Sequence, residues 1–391
     1  MKYKYDVIII GAGMIGSAIA YFLSKEKYKV AVIEKGNIGE GTSSACDGIV
    51  FLQSKKPGIS MDLALESIHI LKELVNRFDR DIEYKQKGGL IVFQSESERN
   101  ALKKQVNDLQ RIGINIQLLS RNETLEIEPF LSEQVIGSSF CSIDGSINPI
   151  ATTLAFAETA IKNGIDFYQR TIAEKMMIEN DHVVGVKCSN SDKFYSNYIV
   201  LSTGIFTNSL LKDISIQLPI KPRRGQVIIT EPIAPLIHHP MLSGRYIAAK
   251  LIPEMVSDLE DPLNRIGIGL VLEQANSGNL LIGSTREFVG ENTDTSYEGI
   301  EYILKHATSI VPSLKDINII RSFSGLRPYT DDGLPFISRM EPYDNLIVAA
   351  GHEGDGITLS AITGKLVKQM ILDEKMDYDI NKLSYNRIAK K

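Results

Sequence analysis

The chain has 391 residues, 43% of them hydrophobic and 23% charged, enough to bury a sizeable core as two domains or one large α/β unit. A formal net charge of -5 offers no basic excess to neutralise phosphates, so neither nucleic acid nor an anionic membrane surface is expected as a partner. Cys46, Cys141 and Cys188 lie too far apart for a CxxC, zinc or iron–sulfur spacing, and the odd count suits a reducing cytoplasm. Lys2 and Lys4 precede an apolar stretch to Leu23, but Asp6 at its mouth and the glycines inside it argue for a strand, a turn and a helix rather than a signal peptide. No segment reaches the roughly 18 uninterrupted apolar residues of a membrane span.

Val7 to Ile10 is an apolar β-branched run, the pattern of a parallel strand buried on both faces. Gly11, Gly13 and Gly16 follow in GxGxxG spacing, then a helix from Ser17 to Ser24 and a second buried strand from Val30 to Ile33 that ends in Glu34. Leu65, Ile68, Leu71, Val75 and Phe78 recur at helical spacing, and a glycine turn leads into a strand over Gly89 to Phe93. Asn148 and Pro149 start an amphipathic helix that Gly164 stops. Tyr198 to Leu201 and Leu346 to Ala349 are further buried strands, and a helix is expected from Ile357 to Leu372. Gln226 to Thr230 and Asn279 to Gly283 belong to more polar, alternating stretches. This order predicts an α/β protein with a discontinuous Rossmann-like nucleotide domain (residues 1–82, 143–212 and 318–391) interrupted by a β-rich α+β substrate domain (83–142 and 213–317).

GxGxxG alone is a weak signal, but here it follows a strand, opens a helix and precedes Glu34 by eighteen positions from Gly16. Gly11 permits the tight turn, Gly13 lets the backbone approach a pyrophosphate beside Met14 and Ile15, and Gly16 packs the helix on the sheet. Glu34 suits a ribose diol and would repel a 2′-phosphate that the neighbouring Lys35 would otherwise invite. Further glycine-rich segments follow at both ends of the chain: Gly41, Thr42 and Ser43 after the second strand, Thr203 and Gly204 after the middle one, and Gly351 to Gly356 with Glu353, Gly354, Asp355 and then Ile357 after the last. A ligand touched by both termini is long and extended, as FAD is. A nicotinamide cofactor would need no such late segment.

These motifs resemble those of the FAD-dependent amine oxidoreductases that include D-amino-acid, glycine and sarcosine oxidases. The resemblance spans nearly the whole chain and is most specific at Gly325-Leu-Arg-Pro-Tyr-Thr-Asp-Asp-Gly-Leu-Pro335 and Gly351-His-Glu-Gly-Asp-Gly356. Phe51 to Gly58 and Gly283 to Gly290 look most like the catalytic β-type subunits of proline, hydroxyproline, sarcosine or opine dehydrogenases. It implies non-covalent FAD, an amino-acid substrate oxidised to an imine, and a homo- or hetero-oligomer with an electron-accepting subunit, with FMN at such an interface left open. A tryptophan common after the strand that ends at Gly204 is missing, Phe206 standing in its neighbourhood.

Oxidation of Cα–N requires the substrate Cα–H to face flavin N5 with its carboxylate held still. Arg327, the arginine of Gly-Leu-Arg-Pro, is by resemblance that clamp. The structural alternative pairs it with Asp331 or Asp332. Gly351 to Gly356 is expected to set backbone N–H groups against the flavin N1–C2=O edge, where negative charge gathers on reduction. Asp355 opposes that role unless paired or turned away. His352 is a candidate to bond substrate or flavin, or a structural histidine of the turn. Arg223, Arg224 and Arg286 with Glu287 are expected to form surface ion pairs or to shape a pocket or partner interface, and Cys46 to be a small buried residue. An electron-relay or scaffold flavoprotein subunit without a substrate is the alternative of another class, and a nicotinamide-dependent dehydrogenase the remaining one.

Overall fold

The run Val7–Ile10 is buried on both faces because its alternate side chains enter two different cores. Val7 and Ile9 pack with the helices, whereas Ile8 and Ile10 pack against a smaller sheet on the other side. The computed structural model describes residues 1–251 and 257–387; residues 252–256 and 388–391, inside the expected segments 213–317 and 318–391, lie outside the described residues. The central sheet has six strands in the order Phe336–Met340, Tyr343–Ala350, Tyr198–Leu201, Val7–Ile10, Val30–Ile33 and Asp166–Tyr168. All neighbours are parallel except the first pair. Helices Met14–Leu23, Ile59–Leu74, Pro149–Lys162 and Ser360–Ile371 contribute to the core on one face. The other face carries a four-stranded sheet of Lys2–Lys4, Lys193–Tyr195, His182–Cys188 and Ala173–Glu179.

A second, eight-stranded sheet runs Ile319–Tyr329, Lys221–Thr230, Leu280–Gly283, Val271–Gln274, Met241–Ser243, Gly89–Phe93, Gly137–Cys141 and Ile116–Ser120. Helix Tyr297–Ile310 packs its apolar side on this sheet's own core. The α/β class with a separate β-rich sheet thus holds, but strand Ile319–Tyr329 requires a correction to the expected segment 318–391. It pairs antiparallel along Lys221–Thr230, so the chain returns to the six-stranded sheet only after Tyr329. Its polar half, Arg321 to Ser324, hides the strand pattern because it lies at the sheet edge and faces solvent in part. The helices follow the expected caps: Asn148 accepts from Ala151 N at 3.0 Å, and Gly164 has φ +96°. The last helix starts at Ser360 rather than Ile357, after a run of turns from Gly354.

Candidate functional site

At the end of the first strand Gly11 adopts φ +102°, and a side chain there would stand 2.6 Å from the Ser202 carbonyl oxygen. A Cβ at Gly16 would overlap the Gly11 carbonyl and lie 2.6 Å from Ser202 Oγ, so bare backbone is what lets the turn and helix Met14–Leu23 close on the sheet. Glu34 accepts from Ala12 N at 2.7 Å and from Gly36 N at 2.8 Å. Each carboxylate oxygen keeps a further lone pair for a ribose hydroxyl. Lys35 lies 3.3 Å over the Phe206 ring, in the stretch that follows Thr203 and Gly204.

The turn Gly41 to Ser43 is tied to both ends of the site. Ser43 Oγ accepts from Met14 N at 2.9 Å, and Thr42 Oγ1 donates to the Leu326 carbonyl at 2.7 Å. Gly325 faces Ala45, whose Cβ would be 3.0 Å from any side chain at 325. The dinucleotide turn, the Gly41 segment and the Arg327 strand therefore meet, although more than three hundred positions separate the first from the last in sequence. The glycine cradle, the helix start beside it and the Glu34 carboxylate fit an extended dinucleotide such as FAD.

Arg327 stands opposite Arg223 in the register of strands Lys221–Thr230 and Ile319–Tyr329. Its guanidinium lies across Gly225, where a side chain would come within 2.6 Å of Cζ. Nη2 donates to Ser284 Oγ at 2.8 Å and Nη1 to the Thr285 carbonyl at 3.2 Å. The arginine's stem also borders Gly354, 3.8 Å from where a Cβ would be. Neither aspartate of the structural alternative is its partner: Asp332 pairs with Arg387 at 2.7 Å and Asp331 with Lys221 at 3.4 Å.

The late glycine segment turns through Gly351 at φ +76° and Glu353 at φ +53°. Glu353 forms an ion pair with Arg223, whose guanidinium lies 4.5 Å over the Tyr329 ring. Asp355 is paired: Lys55 Nζ lies 2.5 Å from its Oδ1, and the lysine side chain is only 2% exposed. His352 is buried, with Nε2 3.1 Å from Thr363 Oγ1, and burial pushes its ring down to about 4, so it is neutral in ordinary buffers. Ile357 packs against the helix-side core.

Sequence reasoning missed Lys55 and Asp47, and it misjudged the burial of the pair Arg224 and Glu287. Lys55 lies inside the Phe51 to Gly58 motif, but nothing local points to its partner 300 positions away. Asp47 is held above its ordinary value by burial, against the pull of Arg327 and Arg286. Arg286 stacks 3.9 Å over Tyr246. Arg224 and Glu287 are a buried pair at 2.8 Å rather than a surface one. Cys46 is partly buried, and desolvation raises its thiol, with Asp47 and Glu273 acting in the same sense. A separate cavity of about 380 Å³ shares Ala45 and Cys46 with this turn and is lined by Lys85, Glu273 and Phe323, but not by Arg327, Arg286 or Arg223.

Comparison with known proteins gives the same reading. The family model described as DAO, FAD dependent oxidoreductase, matches residues 6–370. Glycine oxidase of Geobacillus kaustophilus is 30% identical over 99% of this chain and 98% of its own, and its crystal structure superposes with a TM-score of 0.88 over 98% of this chain and 99% of that one. L-proline dehydrogenase of P. horikoshii has the same TM-score at 25% identity, covering 100% and 99% of the two chains. A subunit of the opine oxidase of Rhizobium meliloti is 26% identical over 98% of each chain. An FAD-dependent enzyme that oxidises amine donors is thus the reading on which site, fold and relatives agree. The chain belongs to the DAO family of FAD-dependent oxidoreductases.

Proposed function

We propose that the chain oxidises the Cα–N bond of an amino acid, with Arg327 gripping the substrate carboxylate. The observation that carries this reading is the position of Arg327: a half-buried guanidinium beside the late glycine segment, with three of its five N–H groups unpartnered among the described residues. FAD, when bound, supplies the two-electron acceptor for the substrate's hydride. The Cα–H bond breaks, the nitrogen lone pair forms C=N, and the amine proton passes to water, leaving an imine that hydrolyses to a keto acid or, from a ring, opens. Ser284 and Thr285 hold the guanidinium in place, so little side-chain freedom is lost when a carboxylate binds. Lys55 neutralises Asp355, which removes the objection to a carboxylate in the segment that would face the flavin. His352, neutral and bonded to Thr363, acts as a positioning residue for that segment.

Relatives named as a glycine oxidase, an L-proline dehydrogenase and an opine oxidase subunit support the amine chemistry. The opine oxidase subunit, together with a hydrogen cyanide synthase subunit, favours assembly with an electron-accepting partner. Three free thiols favour the cytoplasm. Among the described residues no helix is long and apolar enough to cross a membrane. An anaerobic absorbance titration of the FAD-loaded chain against primary and secondary amino acids tests the reading. Bleaching of the flavin by one of them supports it; Arg327→Met should keep FAD and raise KM sharply, and unchanged kinetics would remove Arg327 from the site.

A further inference from the structure

Arg223 and Arg286 stand beside Arg327, and the three differ in what balances their charge. Arg224, on the opposite face of the strand from Arg223, is bonded twice to Glu287, at 2.8 and 3.2 Å, and takes no part in this group. Arg223 is paired with Glu353 and covered by Tyr329. Arg286 and Arg327 have no carboxylate partner in an ion pair among the described residues. Arg286 rests its guanidinium on the Tyr246 ring at 3.9 Å, and its Nη1 reaches the Gly267 carbonyl at 3.5 Å. It follows directly on Ser284 and Thr285, the two residues that Arg327 bonds, so the two unpaired cations share one end of the site.

Their charges act on each other. Burial and the Arg327 charge push Arg286 below the ordinary arginine value, against the pull of Tyr246, and burial with both neighbours brings Arg223 down to about 9. Asp47 feels both unpaired guanidinium groups but forms no salt bridge with either among the described residues, and burial disfavours its charged form. Two like charges in a partly enclosed site are unfavourable until anions arrive from outside. One carboxylate answers one of them.

We infer that the preferred substrate carries two carboxylates, one held by Arg327 and the second by Arg286 stacked on Tyr246. This rests on the reading of Arg327 as the substrate clamp. The second carboxylate stands either on the nitrogen substituent, as in N-carboxymethyl and N-(1-carboxyethyl) amino acids, or on the side chain, as in aspartate and glutamate. Arg286 is then a specificity-determining residue, and Tyr246 and Gly267 keep its planar group oriented.

The test compares paired ligands on the FAD-loaded chain. Dissociation constants for acetate and propionate, and for malonate, succinate and glutarate, are read from perturbation of the flavin absorbance. At least one dicarboxylate should bind roughly 10- to 100-fold more tightly than the monocarboxylates, the range for a hydrogen-bonded charge pair. Arg286→Met should erase that preference while leaving monocarboxylate binding in place, and Arg286→Lys should restore part of it. Equal binding of mono- and dicarboxylates by the unmodified chain overturns the inference, as does an equal loss of both in Arg286→Met. Titration with the two amino-acid sets then separates the sources of the second carboxylate. If monocarboxylic amino acids reduce the flavin best, oxidation stands and the two-carboxylate site falls. If dicarboxylates bind tightly but no amino acid reduces the flavin, the site stands and the oxidation reading falls.

Discussion

Lys55 offers a way to weigh one buried charge without changing the volume around it. Its Nζ lies 2.5 Å from Asp355 Oδ1, and the two side chains are 2% and 14% exposed. Lys55→Met keeps most of the apolar stem and removes the cation, leaving the carboxylate of Asp355 in a largely dry place. Deleting one member of a buried pair costs about 3–5 kcal/mol. Asp355 retains some solvent and another partner, so the lower end, about 3 kcal/mol, is expected. In a chain longer than 250 residues each kcal/mol moves Tm by at most about 2–4 °C, which sets the expected fall at roughly 5 °C. Asp355→Asn in the same background should recover at least half of that loss, because it removes the stranded charge. Thermal melts of the parent, both single variants and the double variant give the coupling directly. Strictly additive losses, or a Lys55→Met melt within about 1 °C of the parent, would refute the view that the pair compensates a charge the segment cannot otherwise hold.

Other changes probe the site's remaining parts. Gly225→Ala places a methyl 2.6 Å from Arg327 Cζ, so the guanidinium must move; KM should rise about tenfold or more with flavin content unchanged, and an unaltered KM would show that this placement is irrelevant. Gly16→Val cannot be accommodated against the Gly11 carbonyl and Ser202, and purified protein should be colourless or insoluble rather than merely slow. Histidine burial makes stability pH-dependent. His352 and His306 are both held near 4, while the unfolded chain takes up a proton at each below 6.5. The unfolded state then binds more protons, so stability falls as pH drops from about 6.5 towards 4, by at most about 1.4 kcal/mol per pH unit for each ring. His352→Gln should flatten the acid limb of urea unfolding, and a limb of unchanged slope would rule the ring out as its source.

Local signals carry the nucleotide half of the molecule. A β-branched run, three glycines at fixed spacing and an acid at the end of the next strand are all consequences of backbone geometry, and backbone geometry is written in neighbouring residues. Val7 to Glu34 can therefore be read in order. Arg327 is legible for a different reason, since it lies in a contiguous motif. Strand Ile319–Tyr329 is not legible as part of the second sheet, because an edge strand half open to water has no apolar alternation to display. Nor can the sequence pair Lys55 with Asp355, Arg224 with Glu287 or Arg286 with Tyr246. Such contacts depend on where sheets bring distant side chains, and no periodicity encodes that. The terminal helix begins later than its pattern implies: Leu359 N donates to the Asp355 carbonyl at 2.9 Å but Ser360 N donates to that of Ile357, so the turns after Gly354 carry mixed bonds rather than a regular helical ladder.

Arg327 and Arg286, which have no salt-bridge partner among the described residues, owe their positions to residues that have no side chain. Arg327 occupies the space a Cβ would take at Gly225, and Arg286 lies against Gly269 and Gly267, 2.7 and 2.8 Å from the places their Cβ atoms would fill. The proposed recognition surface is in this sense a mould, cast by omissions in the sheet. Substrate preference in such a scaffold can drift through a single methyl group at 225, 267 or 269 while every charged residue stays unchanged. Two chains with identical arginines could then accept different acids, and a comparison confined to the charged residues would class them together.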